Sequence, residues 1–140
     1  MKLDTFLEVY QQLNGNSLEL LEKIYAEDIV FIDPAHEIQG LDKLTQYFSA
    51  LYQNITSIDF TFTSRLSGDS VAYVQWDMRF SHPQLRKGEI IALPGMTYLQ
   101  FNANGQVYHH RDYFDLGCML YEHIPILGKV VTSIKRRLGQ

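Results

Sequence analysis

Apolar residues recur at helical spacing in the first third of this chain and at alternating spacing through most of the rest. Leu3, Phe6, Leu7, Tyr10 and Leu13 return every three or four residues, which predicts an amphipathic helix over 3–13. Asn14-Gly15-Asn16 stops it. Asn16, with Glu19 three residues on, has the form of a capping box for a second helix carrying Leu18, Leu21, Ile24 and Tyr25. Residues 28–34 are apolar on both faces and read as a buried strand, ended where Pro34 removes a backbone donor. Gly40 then precedes a third helix with Leu41, Leu44, Phe48 and Leu51 as its buried stripe.

After Asn54 the period changes to two. Ile58, Phe60, Phe62 and Leu66 alternate with polar residues up to the turn Ser67-Gly68-Asp69. Ala72, Val74, Trp76, Met78 and Phe80 then face one way, and Tyr73, Gln75, Asp77 and Arg79 the other. Residues 89–101 predict a further strand, in which Pro94-Gly95 reads as a bulge or kink. Asn104-Gly105 is a hairpin-turn signal before a last strand, 107–115. One face of that strand carries Tyr108, His110, Asp112 and Phe114; the other carries Val107, His109, Arg111, Tyr113 and Asp115. Both faces mix charge with rings, so one is expected to line a pocket. From Leu116 a helical tail runs on, broken at Pro125. Its stripe of Ile126, Leu127, Val130, Val131, Ile134 and Leu138 opposes Lys129, Lys135, Arg136 and Arg137.

Helices followed by antiparallel strands predict an α+β fold. The expected form is a cone-shaped barrel, a curved and mainly antiparallel sheet wrapped around N-terminal helices, with the pocket at its open end. Residues 1–140 are read as a single domain, with 117–140 a helical C-terminal extension.

Composition adds limits. Nine Tyr and eight Phe against one Trp suit either a ring-walled cavity or a bulky core. A net charge of −4 supplies no basic field for nucleic acid, so no nucleic-acid partner is expected. A single cysteine, Cys118, excludes an internal disulfide and fits a reducing compartment. No apolar run reaches membrane-spanning length and the start lacks an apolar leader, so the expectation is a cytoplasmic protein.

Two segments carry a family likeness: Tyr25-Ala26-Glu27-Asp28 through Asp33-Pro34 and Gly40, and the run Arg111-Asp112-Tyr113-Phe114-Asp115-Leu116. With the order of elements, they make the chain resemble the nuclear transport factor 2-like superfamily. Its members include SnoaL-like polyketide cyclases, ketosteroid isomerases and limonene-type epoxide hydrolases. The resemblance places Asp33 where the isomerases keep their base. It places Asp112 on the water-activating carboxylate of the epoxide hydrolases, near the catalytic aspartate of the cyclases. It also implies that Tyr108, His110, Asp112 and Phe114 point inward, and that the protein is a homodimer working without a cofactor or metal.

Departures accompany the likeness. Trp76 and Met78 fall where epoxide hydrolases carry arginine and a second aspartate, while Asp77 and Arg79 point away; a one-residue slip of register would reverse this. Thr97 falls near the protonated acid of the isomerase oxyanion hole and Tyr10 near its tyrosine.

The candidate catalytic residues are therefore Asp112, Asp33 and His110, with Tyr10, Trp76, Met78, Thr97, Tyr108 and Phe114 as pocket residues. Two carboxylates facing an apolar cavity are costly to ionise together, which suits one to shuttle protons with His110 as orienter or relay. The structural alternatives are that Asp33 caps the chain before Pro34, that Asp112 pairs with Arg79 or Arg111, and that His110 is satisfied by a backbone carbonyl. The expected function is cofactor-independent acid–base chemistry, as an isomerase, cyclase/lyase or hydrolase, on a small hydrophobic oxygenated molecule. The alternative is non-catalytic binding, or protein interaction, with the same pocket. The basic tail is expected to dock its stripe on the barrel or a partner subunit, an anionic membrane surface being the lesser candidate.

Overall fold

A computed structural model describes residues 2–139. Helix α1 (Lys2–Gln12) forms as its spacing predicts and buries Leu3, Phe6 and Leu7. The second predicted helix is shorter than its stripe suggests. It comprises a 3₁₀ turn at Leu18–Leu20 and one turn of α-helix, α2 (Leu21–Ile24). The capping box does not form: the Asn16 N–H is taken by Asn14 Oδ1 at 2.8 Å, and Ser17 occupies the cap position. Tyr25, read as the last residue of that helix, instead opens strand β1 (Tyr25–Ile32).

A short β2 (Glu37–Gln39) turns back on β1, and α3 (Leu41–Asn54) follows from Gly40 at φ 93°, a backbone setting that favours glycine. Long strands β3 (Ser57–Ser67), β4 (Val71–Ser81) and β5 (Ile91–Phe101) precede β6 (Val107–Phe114). The sheet has six strands in the order β2-β1-β6-β5-β4-β3. Every pairing is antiparallel except β1 with β6. The architecture is α+β, and the sheet is curved but open rather than closed into a barrel, with β2 and β3 at its edges. Leu44 and Phe48 of α3 join the α1 residues against its concave face.

Strand β4 turns Ala72, Val74, Trp76, Met78 and Phe80 into the core and leaves Asp77 and Arg79 outside. Pro94-Gly95 makes no bulge. The β4–β5 register runs unbroken through Asp77–Pro94 and Trp76–Gly95. Gly95 instead makes room for the indole, because a Cβ there would lie 2.2 Å from Trp76 Cη2.

The register does shift between β5 and β6. Gln100 pairs with His109 and Phe101 with Val107, so Tyr108 is an extra residue. One extra residue reverses the alternation of faces. Val107 is consequently fully buried, and Tyr108, expected inside, is 37% exposed.

Beyond β6, Asp115 caps the single turn α4 (Leu116–Met119) by accepting from the Cys118 N–H at 3.2 Å. A 3₁₀ turn at Tyr121–His123 and Pro125 lead into α5 (Leu127–Leu138). The predicted break is there, but the stripe does not dock on the sheet: Val130, Ile134 and Leu138 are exposed. Among the described residues, no helix is long and apolar enough to cross a membrane.

Gly95→Ala is expected to destabilise the fold by about 1–3 kcal/mol through overpacking against Trp76. Urea denaturation followed by Trp76 fluorescence measures this, and an unchanged midpoint would contradict the packing described.

Candidate active site

Downstream of the bulge, β6 regains its alternation and turns His110 and Asp112 to the same side. His110 is completely buried, with the Phe31 ring centroid 4.6 Å away and Phe6 and Tyr10 at 6.0 and 6.1 Å. A buried imidazole needs a partner for each nitrogen. Nδ1 meets the Tyr25 hydroxyl at 2.8 Å, and Nε2 meets Asp112 Oδ1 at 2.8 Å. The Thr97 hydroxyl donates to the same Oδ1 at 2.6 Å and itself accepts from the Trp76 indole N–H at 2.8 Å.

The direction of these bonds follows from their ends. An indole N–H only donates, so Thr97 spends its own proton on Asp112. Burial first, and then the Asp112 carboxylate, push the Tyr25 phenol well above its usual range, so it keeps its proton, and among the described residues the one acceptor for that proton is His110 Nδ1. That assigns the imidazole proton to Nε2, which donates to Asp112. Two donor chains thus converge on Oδ1. Among the described residues, none hydrogen-bonds Oδ2 of Asp112, and Asp112 borders the cavity. Neither Arg79 nor Arg111 is its partner. Arg111 lies over the Tyr113 ring, 5.0 Å from its centroid.

Asp33 follows the end of β1 and is more heavily engaged. Its Oδ1 accepts from the backbone N–H groups of Ala35 (2.8 Å) and His36 (2.7 Å), and His36 Nδ1 lies 3.1 Å away. Its Oδ2 accepts from the Tyr47 hydroxyl at 3.3 Å. Burial, then the Asp33 charge, raises the Tyr47 phenol above its ordinary value, and burial lifts Tyr52 to about 12. Both therefore meet the cavity as neutral hydroxyls.

The cavity has a volume of about 560 Å³ and is bordered by Asp33 and Asp112 together. Of the residues expected to line it, Tyr10, Trp76, Met78 and Phe114 do. His110 and Thr97 are not on its surface; they hold Asp112 from behind. Tyr108 is turned outward by the bulge. The segment after β6 contributes Met119, Leu120 and Ile124 to the wall.

Tyr25, Tyr47 and these three wall residues were not legible as site residues in the sequence. Tyr25 lay in helical step with Leu21 and Ile24, and its one signal was its place where the period changes. Burial, followed by Glu122 and Asp115, raises the Cys118 thiol, which suits it poorly as a nucleophile. Among the described residues, no three of His, Cys, Asp and Glu gather as metal ligands.

Comparison with known proteins agrees with this architecture. Residues 6–110 match the SnoaL-like domain family, a span that ends two residues short of Asp112. No curated protein matches. An NTF2-like protein of unknown function from Burkholderia pseudomallei superposes with a TM-score of 0.76 at 17% identity, over 89% of this chain and 97% of that one. A candidate SnoaL-like polyketide cyclase from Jannaschia sp. gives 0.75 at 14% identity, over 89% and 92%. A protein of ketosteroid isomerase-like fold from Catenulispora acidiphila, complexed with trimethylamine, gives 0.73 at 16%, over 89% and 93%. At these identities the likeness is one of fold: the cone-shaped α+β architecture is shared.

Tyr25→Phe leaves the buried Nδ1 without its donor and is expected to cost about 1–3 kcal/mol of stability. A loss within about 0.5 kcal/mol in urea denaturation, the usual range for an inconsequential surface change, would contradict the bond. The raised phenols also set a pH response. Tyr10 and Tyr25 stay protonated when folded, whereas unfolded tyrosine ionises near 10.0. Above that value the unfolded chain binds fewer protons than the native one, so stability falls. Denaturation midpoints are expected to drop between about pH 9 and 11, and less so in Tyr25→Phe.

Proposed function

The chain belongs to the SnoaL-like domain family, and from that premise we propose that it performs cofactor-independent acid–base chemistry on a small, hydrophobic, oxygenated molecule held in the cavity. One observation carries the reading: Asp112 borders a ring-walled cavity with Oδ1 held by His110 and Thr97, while no described residue hydrogen-bonds Oδ2. A carboxylate so fixed can accept a proton without reorganising. In this proposal Asp112 Oδ2 takes a proton from the bound molecule, or from a water attacking it, and returns it at a second position. Isomerisation, cyclisation, elimination and hydrolysis all fit that cycle.

His110 acts through Asp112 and is a positioning residue. Its Nε2–H steadies the carboxylate, and Tyr25 fixes the tautomer that makes this possible. Asp33 has its Oδ1 committed to the turn after β1. Its assisting role is confined to Oδ2, which with the Tyr47 hydroxyl can meet an oxygen of the ligand. Trp76, Met78 and Phe114 supply the apolar walls.

The engagement of Asp33 favours a second reading, in which the same cavity binds such a molecule without turning it over. Deuterium uptake separates the two. In D₂O, the protein is expected to accelerate exchange at the acidic carbon positions of some members of a panel of hydrophobic ketones and enones. Asp112→Asn should lower that rate at least about 100-fold while ligand affinity stays within about threefold. Equal exchange by the variant would remove Asp112 from the chemistry. Binding without exchange by the wild type would favour the binding reading.

A further inference from the structure

Helix α5 is mounted the opposite way round from most surface helices. The side turned to the body is small and polar. Gly128 is buried, and a Cβ there would lie 2.3 Å from the Glu122 carbonyl oxygen, so only glycine allows this approach. The Gly128 N–H donates to the Ile124 carbonyl at 2.7 Å. Lys135 bridges Glu122 (2.7 Å) and Asp115, tying the helix to the segment that follows β6. The apolar side points away. Leu127, Val130, Ile134 and Leu138 form a continuous exposed stripe, with Ile134 61% and Leu138 90% accessible.

The charge around the stripe narrows what it meets. Lys129, Arg136 and Arg137 are exposed, and among the described residues none of them has an acidic partner. They are concentrated on one short helix of a chain whose net charge is −4. A two-fold contact between copies would cover the stripes but leave these cations without acidic partners. A sheet of anionic headgroups over an apolar interior satisfies both features at once, and an amphipathic helix with cations on its polar side suits it. At 12 residues the helix is about 18 Å long, which suits lying in an interface rather than crossing it.

We propose that α5 docks this protein on an anionic lipid surface. Leu127, Val130, Ile134 and Leu138 enter the headgroup boundary, and Lys129, Arg136 and Arg137 meet lipid phosphates. The helix is tied through Lys135 and Gly128 to the segment that supplies Met119, Leu120 and Ile124 to the cavity wall. Docking therefore brings that wall to the surface where hydrophobic molecules partition. The inference stands on α5 alone and does not depend on the role of Asp112.

Co-sedimentation of the full chain with vesicles tests it. The wild type is expected to bind phosphatidylglycerol/phosphatidylcholine vesicles at least about tenfold more tightly than pure phosphatidylcholine, the preference shrinking as salt screens the charges. The combined Lys129→Gln, Arg136→Gln, Arg137→Gln variant should lose at least about tenfold on anionic vesicles. Val130→Glu with Ile134→Glu should abolish binding while circular dichroism and the denaturation midpoint hold, since both positions are exposed. Absence of wild-type binding to anionic vesicles would overturn the proposal. So would equal binding by the Glu variant, or a wild-type dimer that the Glu variant dissolves without any vesicle binding.

Discussion

The candidate site rests on one buried imidazole. His110 has no solvent to fall back on, so each of its nitrogens must find a partner inside the protein. Tyr25 and Asp112 are those partners, and they come from different places in the fold: the first residue of β1, and the position two residues beyond His110 on β6. Among the described residues, the only parallel pairing in the sheet is the one that joins these strands. Losing either bond would strand a polar group among Phe6, Tyr10 and Phe31, so the geometry that aims Asp112 at the cavity is the geometry that satisfies the core. Function, as proposed, and stability share the same two hydrogen bonds.

Around that centre the sheet does directional work. Trp76 on β4 donates to Thr97 on β5, which donates to the same Asp112 oxygen as His110, so three adjacent strands fix one carboxylate. Gly95 lets the indole lie against the sheet, and α1 supplies the rings that keep water from His110. Asp112 then borders a cavity whose walls are mainly apolar. In such surroundings a single charge acts with little screening.

Much of this was legible in the sequence. The strict alternation of β4 placed Trp76 and Met78 inward and Asp77 and Arg79 outward, because a long central strand with one buried face has its register set by burial. Helices α1 and α3 showed equally plainly. What the pattern could not show was each departure from a regular period. The extra residue in β6 turned Tyr108 out and Val107 in, and nothing in Val107-Tyr108-His109 distinguishes a bulge from plain alternation. Tyr25 fitted a helical stripe as well as a strand start, and only its bond to a residue 85 positions away decides between them. Pro94-Gly95 has the composition of a kink, but its glycine answers to an indole on the next strand. The α5 stripe was visible; its outward orientation depends on Gly128 and Lys135, whose contacts are tertiary.

The central claim is that His110 presents its proton at Nε2 to Asp112 while Nδ1 accepts from Tyr25. Nitrogen-15 NMR of the imidazoles reads this directly, with His110 assigned by its loss in His110→Gln. The account predicts, at neutral pH, an Nε2 carrying its proton and an Nδ1 with the shift of a bare, hydrogen-bonded nitrogen, the latter changing in Tyr25→Phe. A proton found on Nδ1 of His110 would contradict it.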